Sequence, residues 1–387
     1  MRNSLAQQEA ARVNRTHTSF FYSSNPTTES IGEDVVDEYR CVAAPRSDRA
    51  TLTIQKDQAM ILDTGSSRMP WTVVFHPDGK HLLGGTAHNG VLRWQLADGR
   101  EVGSQIDSIH ENVRSISVSK DCRWIVCGTD EGASVWDEEM HKMHINVEGS
   151  GRVVAVDVSP DSTRFATGTD NAASIWSITN GTRLVGPLEH DNSVNGIRFS
   201  PTGERVATAY GKKAIQIFDS HTGYKLATID METPGWVGVT PLAWSSDGQL
   251  IFAASRDNKV RSFNVSTQSQ LAESRCLHDG KNDVRSIALS ANNKFIATVT
   301  PWSIWFLDAS TLRQIGPDIA IQSNPEQIWS IAISLGSSYL ATGQENGKII
   351  IRDLSKLLPD LYGPFHASSH NPGMLLSPSH NVDKLHA

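Results

Sequence analysis

The stretch Val-Val-Ala-Val-Asp-Val-Ser-Pro-Asp-Ser, from Val153 to Ser162, decides the fold because it recurs along the chain. Two other copies read Val-Asn-Gly-Ile-Arg-Phe-Ser-Pro-Thr-Gly, from Val194 to Gly203, and Pro-Trp-Thr-Val-Val-Phe-His-Pro-Asp-Gly, from Pro70 to Gly79. Each copy is a short run rich in β-branched and aromatic residues, followed by a turn built from Pro with Asp or Gly. The stretch therefore predicts a strand that ends in a tight turn.

Weaker copies bring the total to seven. They begin at Val113, Val239, Val284 and Ile328. The residue that opens the turn falls at His76, Ser119, Ser159, Ser200, Ser245, Ser290 and Ser334, with spacings of 43, 40, 41, 45, 45 and 44 residues. A period of this length is typical of a repeat protein in which each unit forms one small sheet.

Each repeat contains signals for four strands. A second strand follows the turn, as at 164–167, and a fourth closes the unit, as at 181–184. The third strand ends near one residue in each repeat: Trp94, Trp136, Trp176, Phe218, Phe263, Trp305 and Arg352. One four-stranded sheet cannot bury both of its faces, so the sheets must stack around an axis. The pattern predicts a seven-bladed β-propeller; a β-sandwich would not need seven copies of one unit.

The repeats resemble the WD-repeat family. The resemblance rests on the turns, on the pair Trp136-Asp137 and on the related pairs Phe218-Asp219 and Arg352-Asp353, and it covers roughly residues 50–354. It implies an all-β, seven-bladed WD-repeat propeller in which an N-terminal strand, at 59–62, completes the last blade. The family's Gly-His dipeptide is absent, and three repeats keep only its histidine, at His110, His190 and His278.

The propeller is expected to span residues 47–357. Residues 1–46 are polar and lack periodicity, and residues 358–387 are rich in His, Ser and Pro. We expect both to be disordered tails. Four tail histidines could bind a metal, but a solvated tail is the simpler interpretation: His366, His370, His380 and His386.

Composition restricts the function classes. The net charge is −7 and the 35 basic residues are scattered, which argues against a dedicated nucleic-acid surface. No apolar stretch is long enough to cross a membrane, and no secretory signal opens the chain. The four cysteines have no metal-ligand spacing, and we expect them to be reduced. The cytoplasm is the expected location, with the nucleus left open.

We find no motif for catalysis. The chain lacks the phosphate-binding Gly-x-x-x-x-Gly-Lys-Ser/Thr, the His-Glu-x-x-His and the Gly-x-Ser-x-Gly patterns. We therefore expect no enzyme activity, no cofactor and no resident metal. A propeller fold by itself does not exclude chemistry, so an enzymatic or small-molecule-binding propeller that uses its central channel remains the alternative.

The resemblance implies a partner-binding surface on the top face of the propeller. In the family, a recurrent contact position follows the first conserved residue of the first strand, which here gives Trp71, Arg114, Val154, Asn195, Thr240, Arg285 and Trp329. Ring closure makes the first and seventh blades neighbours, so the order becomes Arg285, Trp329, Trp71, Arg114. Trp and Arg are the residues most enriched at interface hot spots. The other interpretation is that both tryptophans are buried between blades.

We predict a non-catalytic scaffold or adaptor that binds a protein or peptide through this face. Arg152, Arg256 and Asp283 would add polar contacts beside the contact positions. An acidic or proline-containing peptide that inserts an apolar side chain is the preferred ligand class. Binding of phosphate or nucleic acid by the arginines is a further, less favoured alternative.

Overall fold

The computed structural model describes residues 59–65, 68–87, 90–103, 111–139, 141–148, 151–210, 214–231, 242–254, 257–277, 284–321 and 327–362. Within these residues the chain forms seven antiparallel sheets. Each sheet is one blade of a β-propeller, which confirms the predicted fold class. The predicted tail 1–46 and most of the tail 358–387 lie outside the described residues, as do Arg256 and Asp283.

Most blades use four consecutive strands. Blade 1 contains β2 (Pro70–Phe75), β3 (His81–Thr86) and β4 (Val91–Gln95). Blade 2 contains β5 (Val113–Val118), β6 (Trp124–Thr129), β7 (Gly132–Asp137) and β8 (Lys142–Glu148). Blade 3 contains β9 (Ala155–Val158), β10 (Arg164–Gly168), β11 (Ala172–Ser177) and β12 (Arg183–Glu189). Blade 4 contains β13 (Val194–Phe199), β14 (Arg205–Tyr210), β15 (Ala214–Asp219) and β16 (Lys225–Asp230). Blade 5 contains β17 (Leu242–Trp244), β18 (Leu250–Ala254), β19 (Val260–Asn264) and β20 (Gln270–Glu273).

The last two blades differ in how they are completed. Blade 6 contains β21 (Ser286–Leu289), β22 (Phe295–Thr300), β23 (Ser303–Asp308) and the short β24 (Ile319–Ala320). Blade 7 contains β25 (Ile328–Ile333), β26 (Tyr339–Gln344), β27 (Lys348–Asp353) and β1 (Ala59–Asp63), which comes from the other end of the chain. In blade 1 the fourth position is marked by one isolated bridge, between Trp94 and Glu101.

The first strands of the blades form the inner wall of the ring. Each one contacts the first strand of the next blade, from β2 to β5 and onward to β25. Strand β25 then contacts β2, so the ring closes between blade 7 and blade 1. We call the face at which the first strands begin the top face, and the opposite face the bottom face.

Strand β1 closes the ring as the sequence predicted. It pairs antiparallel with β27, from Ala59 opposite Arg352 to Asp63 opposite Lys348. Leu62 of this strand is 2% exposed and joins the core between blades 7 and 1, whereas its neighbour Ile61 is 47% exposed. The pairing covers an edge of β27 that would otherwise be free to bind other strands.

A serine explains why the same turn recurs. In six blades its hydroxyl accepts a hydrogen bond from the backbone N–H five residues later; in blade 3, for example, Ser159 Oγ lies 2.9 Å from Arg164 N. In three of these blades the same hydroxyl also donates to an aspartate two residues on, as Ser159 does to Asp161 at 2.5 Å. The serine therefore fixes the register of the first hairpin. Only blade 1 has a different residue there, His76.

The C-terminal part of the propeller ends in two short helices. Helices α1 (Leu354–Leu357) and α2 (Pro359–Tyr362) follow β27 directly. Leu354 and Leu358 are buried against the core between blades 6 and 7. Helix α2 thus falls within residues 358–387, which we expected to be mostly disordered; apolar packing of Leu358 and Leu361 orders this first part. No helix in the described part of the chain is long and apolar enough to span a membrane.

Candidate functional site

Trp71 and Trp329 meet on the top face at the seam where the ring closes. Trp71 is the second residue of β2 and Trp329 the second residue of β25, and these two strands are in contact. The ring centroids lie 5.3 Å apart with the planes inclined by 53°. Both side chains are half-buried, whereas the sequence left open whether they are exposed or buried between blades.

Two arginines flank this pair. The Arg285 guanidinium lies 3.8 Å from the centroid of the Trp329 ring, and the Arg114 guanidinium lies 5.2 Å from that of Trp71. The four side chains thus form one continuous row across blades 6, 7, 1 and 2, which we call the Arg–Trp row. A guanidinium over an indole face is stabilised by about 0.5–1 kcal/mol at an exposed site.

Each arginine of the row is held by further polar contacts. Arg114 forms a short ion pair with Asp130, whose other oxygen accepts a hydrogen bond of 2.7 Å from Asn112. Although burial acts in the opposite direction, these contacts hold the pKa of Asp130 below its usual value. Arg285 donates to Gln327 Oε1 at 2.7 Å and to the Ile328 carbonyl at 3.3 Å. The row is therefore pre-organised.

Both indole N–H groups of the row are buried and have no hydrogen-bond partner among the described residues. An unsatisfied buried donor costs about 1–3 kcal/mol. One arginine lies over each indole, and the two rings contact each other.

Arg152 and Asn195 lie outside the row. Arg152 forms an exposed ion pair with Asp170, 2.5 Å from Nη2 to Oδ1, in blade 3. Asn195 is only 6% exposed, and its Oδ1 accepts from Ser193 Oγ at 3.1 Å. Burial makes Asn195 part of the blade packing, in contrast to the exposed contact position assigned from the sequence. Strand β13 has at Asn195 the same irregularity that β2, β5 and β25 have at Trp71, Arg114 and Trp329, so its register does not account for the burial.

The inner wall carries one charged pair. At the position three residues after each contact position, the first strands present Val74, Ser117, Asp157, Arg198, Ala243, Ala288 and Ala332. Asp157 accepts from Phe199 N at 2.8 Å and lies 3.4 Å from Arg198 Nη1. Burial raises the pKa of the Asp157 carboxyl, although Arg198 opposes this rise. No second carboxylate or histidine is present at these seven positions.

A second polar cluster, which the sequence did not indicate, lies on the bottom face between blades 1 and 2. His76, 2% exposed, has Nδ1 3.0 Å from Asp78 Oδ1 and Nε2 3.0 Å from Glu138 Oε2. His81 Nδ1 lies 2.6 Å from Asp78 Oδ2. Arg93 donates to Glu138 Oε1 at 2.8 Å and its Nη2 lies 3.0 Å from His81 Nδ1.

The carboxylates perturb His76. Burial opposes its protonation, but Glu138 and Asp78 outweigh burial and raise its pKa. Among the described residues, His76, Asp78 and His81 are the one group of histidine, cysteine and acidic side chains close enough to share a metal ion.

Cys122 and Cys127 carry free thiols, whereas Cys276 is disulfide-bonded, which departs from the reduced cysteines expected from the sequence.

Comparison with known families matches four of the blades. The family "WD domain, G-beta repeat" matches residues 103–137, 142–177, 183–219 and 233–264. These segments correspond to blades 2 to 5. Blades 1, 6 and 7, which contribute Trp71, Arg285 and Trp329, are assigned by the structure.

Curated proteins of similar sequence are also built from such repeats. The chain is 25% identical over 215 residues to "Nuclear distribution protein PAC1" of Arthroderma benhamiae, covering 50% of this chain and 45% of that protein. It is 26% identical over 167 residues to "WD repeat-containing protein 1" of Gallus gallus, covering 43% of this chain and 27% of that protein. The mouse protein of the same name is 33% identical over 81 residues, covering 21% of this chain and 13% of that protein. The chain thus matches less than half the length of these relatives.

Proposed function

Because the chain is a WD-repeat β-propeller, we propose that it is a non-catalytic scaffold that binds a protein or peptide segment on its top face. The observation that carries this proposal is the Arg–Trp row, formed by Arg285, Trp329, Trp71 and Arg114. Half-buried aromatic and arginine side chains on a rigid frame are the composition of interface hot spots. Propellers of this family generally act by binding other proteins.

The row favours a peptide that brings acceptors and negative charge. The two indole N–H groups lack partners, and the guanidinium groups are planar forks suited to carboxylates. An acidic segment with one apolar side chain set against the indoles fits these requirements. Micromolar affinity, roughly −8 kcal/mol, is expected for one such contact.

An enzymatic or small-molecule function in the central channel has less support. Asp157 is the one acidic side chain at the seven inner-wall positions, and Arg198, Ser117 and the Phe199 backbone already occupy its oxygens. No histidine or second carboxylate stands at these seven positions to act with Asp157 as an acid–base pair. The apolar and small residues at the other positions favour a scaffold over an enzyme.

Phosphate or nucleic-acid binding by the arginines has less support as well. Arg114 is paired with Asp130 and Arg152 with Asp170, which weakens the attraction of these two arginines for any strongly anionic ligand, an acidic peptide included. With a net charge of −7, the chain offers little long-range attraction for a polyanion. Binding that weakened steeply with rising salt would favour this alternative over the peptide.

The test is affinity capture with quantitative mass spectrometry. Wild-type chain is compared with the double variant Trp71→Ala/Trp329→Ala, and circular dichroism verifies that both fold. The matched control is Tyr224→Ala/Tyr339→Ala, which removes two exposed aromatic side chains on the bottom face. We expect partners that survive in the control and are depleted at least tenfold in the tryptophan variant, because truncation of a hot spot costs 2 kcal/mol or more.

Equal recovery of every partner by the folded tryptophan variant and by the wild type would contradict the proposal. Loss of partners in the tyrosine control but not in the tryptophan variant would move the binding surface to the bottom face.

A further inference from the structure

The bottom face carries a candidate ligand set for a transition metal. Its members lie on the first hairpin of blade 1, in the sequence His76-Pro77-Asp78-Gly79-Lys80-His81. The nitrogen and oxygen atoms that His76, Asp78 and His81 would offer all lie within 4.8 Å of one another. We propose that these three side chains bind a divalent transition-metal ion of the zinc class, a site on the face opposite the Arg–Trp row.

The turn itself brings the ligands together. Gly79 has a φ of +68°, which lets the chain reverse tightly between Asp78 and His81. Asp78 Oδ1 accepts hydrogen bonds from the backbone N–H of Lys80 at 2.7 Å and of His81 at 3.1 Å, so its carboxylate is fixed. The two imidazoles approach this carboxylate from either side through Nδ1. Two histidines and one carboxylate form a three-ligand set typical of zinc with an open fourth position.

Glu138 supplies the outer support that metal-binding histidines usually have. It comes from blade 2, and its Oε2 lies 3.0 Å from His76 Nε2. This is an ion-pair contact without hydrogen-bond geometry, and a carboxylate at the far nitrogen is the usual support of a metal-binding histidine. The Nδ1 lone pair that the metal would use accepts a hydrogen bond from Asp78 N at 3.2 Å, which a bound metal must replace. His76 is almost fully buried and so cannot turn away, whereas His81 and Asp78 are partly exposed and give solvent access.

The position of His76 supports a specialised role. Six blades have a serine at this position, whose hydroxyl closes the first hairpin. The backbone bond from His76 N to the His81 carbonyl, 2.9 Å, is one that all seven blades have, so the first hairpin of blade 1 forms with histidine in place of serine. The imidazole accepts a hydrogen bond within the turn, from Asp78 N to Nδ1 at 3.2 Å, and it also faces the carboxylates of Asp78 and Glu138.

The positively charged Arg93 guanidinium lies where a metal ion would bind in this cluster. Its Nη2 lies 3.0 Å from His81 Nδ1 and 3.8 Å from Asp78 Oδ2. A bound metal must displace this guanidinium, which is partly exposed and can retain its bond to Glu138 through Nη1. The site is therefore expected to bind with moderate affinity, and removal of Arg93 should strengthen binding.

The experiment is a calorimetric titration of the full, chelator-treated chain with Zn²⁺ alone at pH 7.5. The variants are Asp78→Asn, which preserves the turn geometry, and His81→Gln. The matched control is His221→Gln, because His221 also lies beside a carboxylate, Glu204 at 3.8 Å, but has no second histidine. The tail histidines are present in every protein, so any binding by them is common to all the titrations.

We expect wild type and His221→Gln to show the same tightest site. Asp78→Asn and His81→Gln should each weaken that site at least tenfold, and Arg93→Gln should tighten it several-fold. Co²⁺ in place of Zn²⁺ should give the visible absorption of a tetrahedral site in wild type and not in Asp78→Asn. Identical Zn²⁺ titrations for wild type, Asp78→Asn and His81→Gln, or no binding below about 100 μM, would overturn the proposal.

Discussion

Arg352 occupies in blade 7 the position that a tryptophan fills in four other blades. In blade 3 the indole of Trp176 donates to Thr167 Oγ1 at 2.9 Å, and in blade 7 Arg352 Nη1 donates to the corresponding Thr342 Oγ1 at 3.1 Å. The guanidinium is buried, its Nε has no partner, and no carboxylate of the described residues pairs with it. Burial lowers the pKa of Arg352 to about 10. The seventh blade thus contains an uncompensated buried charge.

Replacing this arginine with the residue of the other blades should stabilise the protein. Arg352→Trp removes the buried charge and keeps a donor toward Thr342, so we expect the free energy of unfolding to rise by about 1–3 kcal/mol. Urea unfolding of the variant and the wild type measures the change. Arg352→Lys is the control, because it retains the charge but loses the planar fork, and it should be destabilising. A less stable Arg352→Trp would show that the arginine is required by the blade.

His190 is a buried histidine that the fold holds neutral. Its Nδ1 lies 2.7 Å from the Leu188 carbonyl and its Nε2 2.9 Å from Thr208 Oγ1, which together fit the Nδ1–H tautomer. Burial lowers its pKa from the ordinary value of 6.5. Since the unfolded chain then binds the proton more readily, the contribution of His190 is fully present above pH 6.5 and is lost as pH falls below that value.

The pH dependence can be isolated with His190→Gln. Urea unfolding at pH 7.5, 6.5 and 5.5 should show a smaller loss of stability toward acid in the variant than in the wild type. The variant should be less stable at pH 7.5, because it loses the bond to Thr208. Parallel losses in the two proteins would assign the acid sensitivity to another group.

Among the elements, β1 has the largest effect on the whole fold, because it joins the two ends of the propeller. Its two central side chains differ sharply in burial: Leu62 lies in the core between blades 7 and 1, and Ile61 faces solvent. We expect Leu62→Ala to lower the free energy of unfolding by about 2–4 kcal/mol. Ile61→Ala should change it by less than about 0.5 kcal/mol, since it removes an exposed side chain on the same strand. Equal effects would mean that β1 does not close the ring as described.

The strands could be predicted because the sequence repeats the signals that form them. The serine that opens each turn is the residue whose hydroxyl fixes the first hairpin, so one side chain both marks and stabilises the unit. Seven regularly spaced turns were enough to predict the number of blades, and the family resemblance implied the closing strand. Helix α2 could not be predicted, because its order depends on a groove between blades 6 and 7 that exists only after folding.

The bottom cluster could not be recognised for a similar reason. His76 opens the first turn and Glu138 follows the third strand of the next repeat, and nothing in a linear sequence joins these positions of two blades. The substitution of histidine for serine in one repeat of seven was the available signal. The spacing of His76, Asp78 and His81 was a second signal in the sequence.

At the scale of the whole molecule, ring closure brings together residues that lie far apart in the sequence. Trp71 and Trp329 come from the first and last blades, and only closure places their rings 5.3 Å apart. The order of the row could be predicted from the ring, whereas the half-burial of the indoles and the pairing of Arg114 with Asp130 could not, because both depend on side-chain packing. A rigid propeller holds such a row in place without a partner, which favours rapid and specific docking.

The most direct test of partner binding on the top face is hydrogen exchange of the chain with and without a partner recovered by affinity capture. The account predicts that the partner slows exchange in residues 69–72, 113–115, 285–287 and 328–330, which contain the four side chains of the Arg–Trp row. Exchange at the bottom turns, such as 159–164 and 245–250, should stay unchanged. Protection confined to the bottom turns or to blades 3 to 5, with the row unaffected, would contradict it.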